Sequence, residues 1–150
     1  MVWTDSGGLT APECLERMIP LLRRLPRLTA TRHEAERVAS LHDGRAMCLI
    51  GRDASERTLH ELARSGALRR FDHIHFATHA LIDYEHPENS RLVLTQVDLP
   101  DPWEAALHGD RVYDGCLSTG EIAREWDLQC DLVTLSACDT ALGRVLRGEG

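Results

Sequence analysis

Lysine is absent from this chain: all 17 of its cations are arginine. That excludes Schiff-base chemistry on a lysine amine and a Walker A phosphate loop, both of which need a lysine side chain. Long apolar runs are missing too. None approaches the ~18 residues of a membrane span, so no membrane partner is expected. The opening stretch MVWTDSGGLTAPE has neither the charged nor the apolar region of a signal peptide, which points to the cytoplasm. The five cysteines (14, 48, 116, 130 and 138) are odd in number and scattered, unlike a disulfide framework. Aromatic residues make up only 5%, and Trp3, Trp103 and Trp126 are too dispersed to form a stacking platform.

What is present suits one globular domain. The 150 residues are 43% apolar and 27% charged, enough to bury a core without cross-links. The 24 acids outnumber the arginines and leave a net charge of −7, which argues against nucleic acid as a partner. The signs are also segregated. Glu13 to Arg70 holds 12 Arg against 8 acids, and Asp83 to Asp114 holds 8 acids against 2 Arg. Solvated faces account for this split without invoking a ligand.

Three segments carry the same helix-start signature. Thr31-Arg32-His33-Glu34, Asp53-Ala54-Ser55-Glu56 and Ser118-Thr119-Gly120-Glu121 each place a capping side chain three residues before a Glu. They predict helices near 32–42, 54–65 and 119–126. Pro12 to Leu28 reads as a short helix with a loop. Between the helices lie strand-like runs: 46–50 (AMCLI), 71–78 (FDHIHFAT), 91–95 (RLVLT) and 131–137 (DLVTLSA). This alternation predicts an α/β fold with a mostly parallel sheet flanked by helices. The polar stretch from Gln96 to Gly115, with Pro100, Pro102 and Gly109, reads as a long loop.

Sites in such sheets gather at the carboxyl ends of strands. His79 follows FDHIHFAT and Cys138 follows DLVTLSA; they are 138 − 79 = 59 residues apart, enough for a crossover that returns both to one sheet edge. A thiolate nucleophile needs a nearby imidazole, which later protonates the leaving amine. A His about 50 residues upstream of a Cys is also the caspase arrangement. By spacing alone, an inert buried Cys138 explains the pattern as well.

The local sequences resemble the CHAT domain family, the caspase-like peptidase domains attached to tetratricopeptide (TPR) repeats. HFATHA around His79 and LSACDT around Cys138 carry the likeness. LPRLTATRHEAERVASL, LIGRDASERTLHEL and the block from Asp114 onward, DGCLSTGEIAREWDLQCDLVTLSACDTALGRVLRGEG, extend it. Residues 26–150 then read as a partial CHAT domain and 1–25 as an N-terminal remnant or linker. The resemblance implies a caspase-like sheet and a cysteine endopeptidase acting on a protein or peptide. His79 would be the base and acid, Cys138 the nucleophile, and the amides of Ala80 and Cys138 the oxyanion hole. It implies no metal and no cofactor, and a TPR-bearing region as partner. Asp139, beside the nucleophile, could read a basic substrate residue, although a loop acid or helix cap is the plainer role.

The chain departs from the family pattern at Ala80 and Ala141, where members often carry Gly. A positive φ at either site would strain Ala. The family also continues for about another strand–helix–strand unit beyond the equivalent of Gly150. The sheet is therefore expected to be incomplete on its C-terminal side, with an open edge at DLVTLSA, and residues 1–150 alone are not expected to cleave peptides. The competing function class is non-catalytic: an interaction module or a degenerate remnant. Two metal readings are weaker. His73, His75 and His79 lack a marked further ligand, and Cys116, Cys130 and His108 lack a C-x2-C core.

Overall fold

The computed structural model describes residues 18–139, with positions 138 and 139 described by backbone alone. Residues 18–22 are helical. The elements that follow are α1 (Thr31–Ser40), α2 (Glu56–Arg64), β1 (His73–Leu81), β2 (Arg91–Val93), α3 (Pro102–His108), β3 (Cys116–Ser118), α4 (Thr119–Glu125) and β4 (Leu132–Asp139). The strands form one sheet in the order β3-β2-β1-β4.

The fold is α/β, but among the described residues the sheet is mixed rather than mostly parallel. β1 and β4 run parallel, in register from His73↔Leu132 to Ala80↔Asp139. β1–β2 and β2–β3 are antiparallel. Connection length is the reason. Only residues 82–90 link β1 to β2, too few for the crossover of a dozen or more residues that a parallel pair needs. β1 and β4 are separated by residues 82–131, which hold two helices and two strands.

The predicted strand at 46–50 is not formed. Ile50 is extended (φ −140, ψ 153), but this run pairs with no strand among the described residues, and Met47 and Cys48 are exposed. An apolar run becomes a strand only where a neighbour can take its backbone bonds. The predicted loop at 96–115 also needs correction, because it contains α3. Asp101 caps that helix by accepting from the Trp103 and Glu104 amides, Pro102 opens it, and Gly109 closes it with φ 72. The prolines and the glycine that suggested a loop are the start and stop residues of a short helix.

The three cap signatures have three outcomes. Ser118 and Glu121 form the full reciprocal box at α4. At α2 the cap is Ser55, accepting from the Thr58 amide, rather than Asp53. At α1 the cap position is Ala30, with no side-chain cap bond, and the Thr31 hydroxyl donates to the Leu28 carbonyl instead.

Side-chain alternation along β1 sorts the packing into two layers around the sheet. Ala80, with Leu92 and Leu117, packs against Leu59 of α2; Phe76 and Ile122 of α4 join this cluster. On the other face Val93 and Cys116 pack with Met18, and Leu22, Leu25 and Leu81 lie against them. β4 has β1 on one side and, among the described residues, no strand on the other. Its Leu132 and Leu135 are 54% and 58% exposed.

A buried carboxyl ties α2 to β3. Glu56 Oε2 accepts the Asp114 and Gly115 amides at 2.8 and 3.0 Å, fixing the turn where Gly115 adopts φ 75. Burial, with Asp114 and Glu121 nearby, pushes the Glu56 carboxyl up to about 8. In that neutral form it hydrogen-bonds the Asp114 carboxylate, which also accepts from Arg91 at 3.0 Å and from the Cys116 amide at 2.8 Å.

The fold therefore holds the Glu56 proton more tightly than the unfolded chain does. The stability linked to it is complete below the ordinary value of 4.5 and is lost as pH rises through about 8. Urea midpoints are expected to fall from about pH 5 to about pH 8.5, and Glu56→Gln, which mimics the neutral carboxyl, should flatten that slope. An equal slope in the variant would contradict the assignment.

Candidate functional site

His79 lies inside β1 rather than just beyond it, because pairing of Ala80 and Leu81 with β2 extends the strand. Its imidazole is on the face covered by the segment around residues 22–31. The residue is 8% exposed, and its Nε2 lies 2.7 Å from the Pro26 carbonyl oxygen. A carbonyl only accepts, so Nε2 carries the hydrogen and donates it. In the neutral ring Nδ1 then holds the free lone pair. Nδ1 is buried and has no hydrogen-bond partner among the described residues.

Cys138 is the register partner of His79 on β4. Directly paired positions of parallel strands share a face of the sheet, at a strand spacing of roughly 4.8 Å. The backbone thus brings the two predicted positions together at one end of the sheet and on one face. Asp139 pairs with Ala80 one step further. The side chains of Cys138 and Asp139, and residue 141, lie outside the described structure.

Ala80 is a regular strand residue, 7% exposed, with its methyl in the core beside Leu59, Leu92 and Leu117. Among the described residues, positive φ at non-glycine positions occurs only at Asp43 and Asp98. The strain foreseen for Ala80 is therefore absent. The other histidines of the metal reading have separate partners. His75 Nε2 lies 3.0 Å from Glu34 Oε1, and the His73 ring is 6.0 Å from that of His42. Cys116 is buried in β3, where burial raises its thiol well above the usual range, and His108 Nδ1 bonds the Glu104 carbonyl within α3.

An open depression of about 230 Å³ adjoins His79, with Leu22, Leu25 and Leu28 on one side and Val93 and Leu94 on the other. A larger one, about 340 Å³, lies by the start of α2. Its Ser55 and Glu56 are committed to capping and to the β3 turn, and Arg57 stacks over Tyr113 at 5.1 Å. The first depression alone adjoins a buried ring nitrogen without a partner among the described residues.

The CHAT domain family model matches residues 11–150. The chain belongs to the CHAT domain family. No curated protein and no solved structure matches it. Among the described residues, no helix of this CHAT protein is long and apolar enough to cross a membrane.

Three residues around His79 and position 138 carry no signal of their placement in the sequence. Pro26 acts through its backbone carbonyl, which no side-chain pattern reveals. Glu34 also fits the capping-box pattern of Thr31 to Glu34, which points to the helix end rather than to the sheet. Ser136 shares its strand face with position 138, a two-residue alternation that becomes informative once β4 is known to pair with β1.

The His79–Pro26 bond fixes a testable property. In 15N-edited spectra at neutral or alkaline pH, neutral His79 is expected as the Nε2–H tautomer. Observation of the Nδ1–H tautomer would contradict this geometry.

Proposed function

We propose that this CHAT domain carries the His–Cys dyad of a caspase-like cysteine endopeptidase, with His79 as base and acid and Cys138 as nucleophile. The observation that carries the reading is the pairing of position 79 with position 138 beside a buried Nδ1 that lacks a partner among the described residues. Membership of the CHAT family supports it independently.

The chemistry follows from the tautomer. Nδ1 takes the thiol proton, and the thiolate attacks the carbonyl carbon of a peptide bond. Proton uptake makes an imidazolium, whose positive Nε2–H is stabilised by the Pro26 carbonyl. The family suggests the amides of Ala80 and Cys138 for the tetrahedral oxyanion; in this sheet Ala80 lies between β2 and β4 and pairs with both. The imidazolium then protonates the leaving amine as the C–N bond breaks, leaving an acyl-thioester that water hydrolyses with Nδ1 again as base. Substrates are proteins or peptides, Asp139 stands where a basic substrate residue could be read, and a TPR-bearing region is the partner suggested by the family.

An electrophilic peptide probe, such as a peptidyl acyloxymethyl ketone, tests the dyad without a known substrate. Labelling is expected at Cys138, absent in Cys138→Ala, and slower by roughly 10²-fold or more in His79→Ala, the usual scale of general-base assistance. Labelling of Cys138 no faster than that of exposed Cys48, and indifferent to His79, would overturn the peptidase reading in favour of a non-catalytic module.

A further inference from the structure

Glu34 stands in the first turn of α1, on the face of the sheet that also carries His79. Its carboxylate receives two hydrogen bonds from two different strands. The Ser136 hydroxyl of β4 donates one, and His75 Nε2 of β1 donates the other at 3.0 Å. These two bonds, the Ser136 one foremost, hold the Glu34 carboxyl below the usual carboxylate range. His75 lies four residues before His79 and Ser136 two residues before Cys138. Both intervals are even, so both donors sit on the strand face of the residue they precede.

We propose that Glu34 is a positioning residue that clamps β1 to β4 and so sets the relative placement of His79 and Cys138. This rests on the peptidase reading and deepens it. The clamp matters because the ladder joins β4 to β1 without fixing which residue faces which. Among the described residues β4 has one strand neighbour, and Leu132 and Leu135 are more than half exposed, so apolar burial does little to fix its register. A one-residue slip would move position 138 to the opposite face. A carboxylate that accepts from both strands loses its Ser136 donor on a one-residue slip, which turns that side chain to the opposite face.

The other charged residues of this turn are turned away from the clamp. Arg32 reaches Glu36 at 3.6 Å and His33 reaches the same residue at 3.9 Å, all on the exposed side of α1. Glu36→Ala is therefore a control on the same helix.

The test is the pH–rate profile of Cys138 alkylation by iodoacetamide, followed by mass spectrometry of each cysteine peptide in the whole chain. In the wild type a His79-dependent rate at neutral pH is expected. Glu34→Ala should lower that rate by about tenfold or more and move the profile towards that of an ordinary thiol, since misplacement by ~1 Å costs up to 10²-fold. Glu34→Gln, which keeps one acceptor oxygen, should restore part of it. Ser136→Ala should show a partial loss, and Glu36→Ala none. Buried Cys116 reports folding in the same samples: its reactivity should stay low while that of Cys138 changes. If Glu34→Ala exposes Cys116, Glu34→Gln and Ser136→Ala decide the matter. Variants that keep both Cys116 protection and the wild-type Cys138 profile overturn the proposal while leaving the dyad intact. A wild-type Cys138 rate unchanged by His79→Ala removes the peptidase reading, and the proposal with it.

Discussion

The parallel ladder between β1 and β4 is the constraint on which the rest of the site depends. Eight register pairs join segments that lie 59 residues apart in sequence. The loop-closure entropy of so distant a pairing has to be offset by what lies between. The intervening chain does this by building the antiparallel half of the sheet, with Leu92 and Leu117 packed against Leu59 and Ala80. β1 is the common member: it pairs with β2 at its carboxyl end and with β4 along nearly its whole length. The two ladders overlap at Ala80, next to His79 and the candidate site.

Polar groups specify this architecture at points where apolar burial leaves room for slippage. Glu56 fixes the turn into β3 by accepting two consecutive amides, Glu34 reaches both strands of the parallel pair, and the Pro26 carbonyl orients the His79 ring. Each is a directional contact with few alternative solutions. On the far side Arg111 gathers Glu121 and Glu125 at 2.9 and 2.7 Å, joining the 109–115 segment to α4. Burial opposes the charge on Glu56, whereas Glu34 and Glu125 are held low by their partners. The fold thus combines carboxyls tuned in opposite directions.

The cap signatures show how far local sequence reaches. Ser118 and Glu121 form their box because Ser118 is extended, with ψ 153, and its Glu turns back to the cap. Ser55 is extended likewise and takes the cap from Asp53, while Glu56 is drawn away to the β3 turn. At α1, Ala30 already has helical angles (φ −86, ψ −20), so Thr31 falls inside the first turn, and Glu34 bonds across to the sheet. The same four-residue pattern is compatible with each outcome. A partner elsewhere in the fold, offering a stronger bond to the Glu, decides which one occurs.

The sequence by itself determined the elements with strong local patterns: the strands around His73–Leu81, Arg91–Val93 and Leu132–Asp139, the helices after Thr31, Ser55 and Ser118, and the two positions, 79 and 138, that share a sheet end. Alternation and capping are short-range, so they survive without knowledge of the fold. The tertiary structure decided strand direction, the fate of 46–50, the conversion of Asp101-Pro102 and Gly109 into the ends of a helix, and the partners of Glu34, Glu56 and His79. These depend on which distant backbone groups come within ~3 Å, and hydrogen bonds at that range are set by packing, not by spacing along the chain.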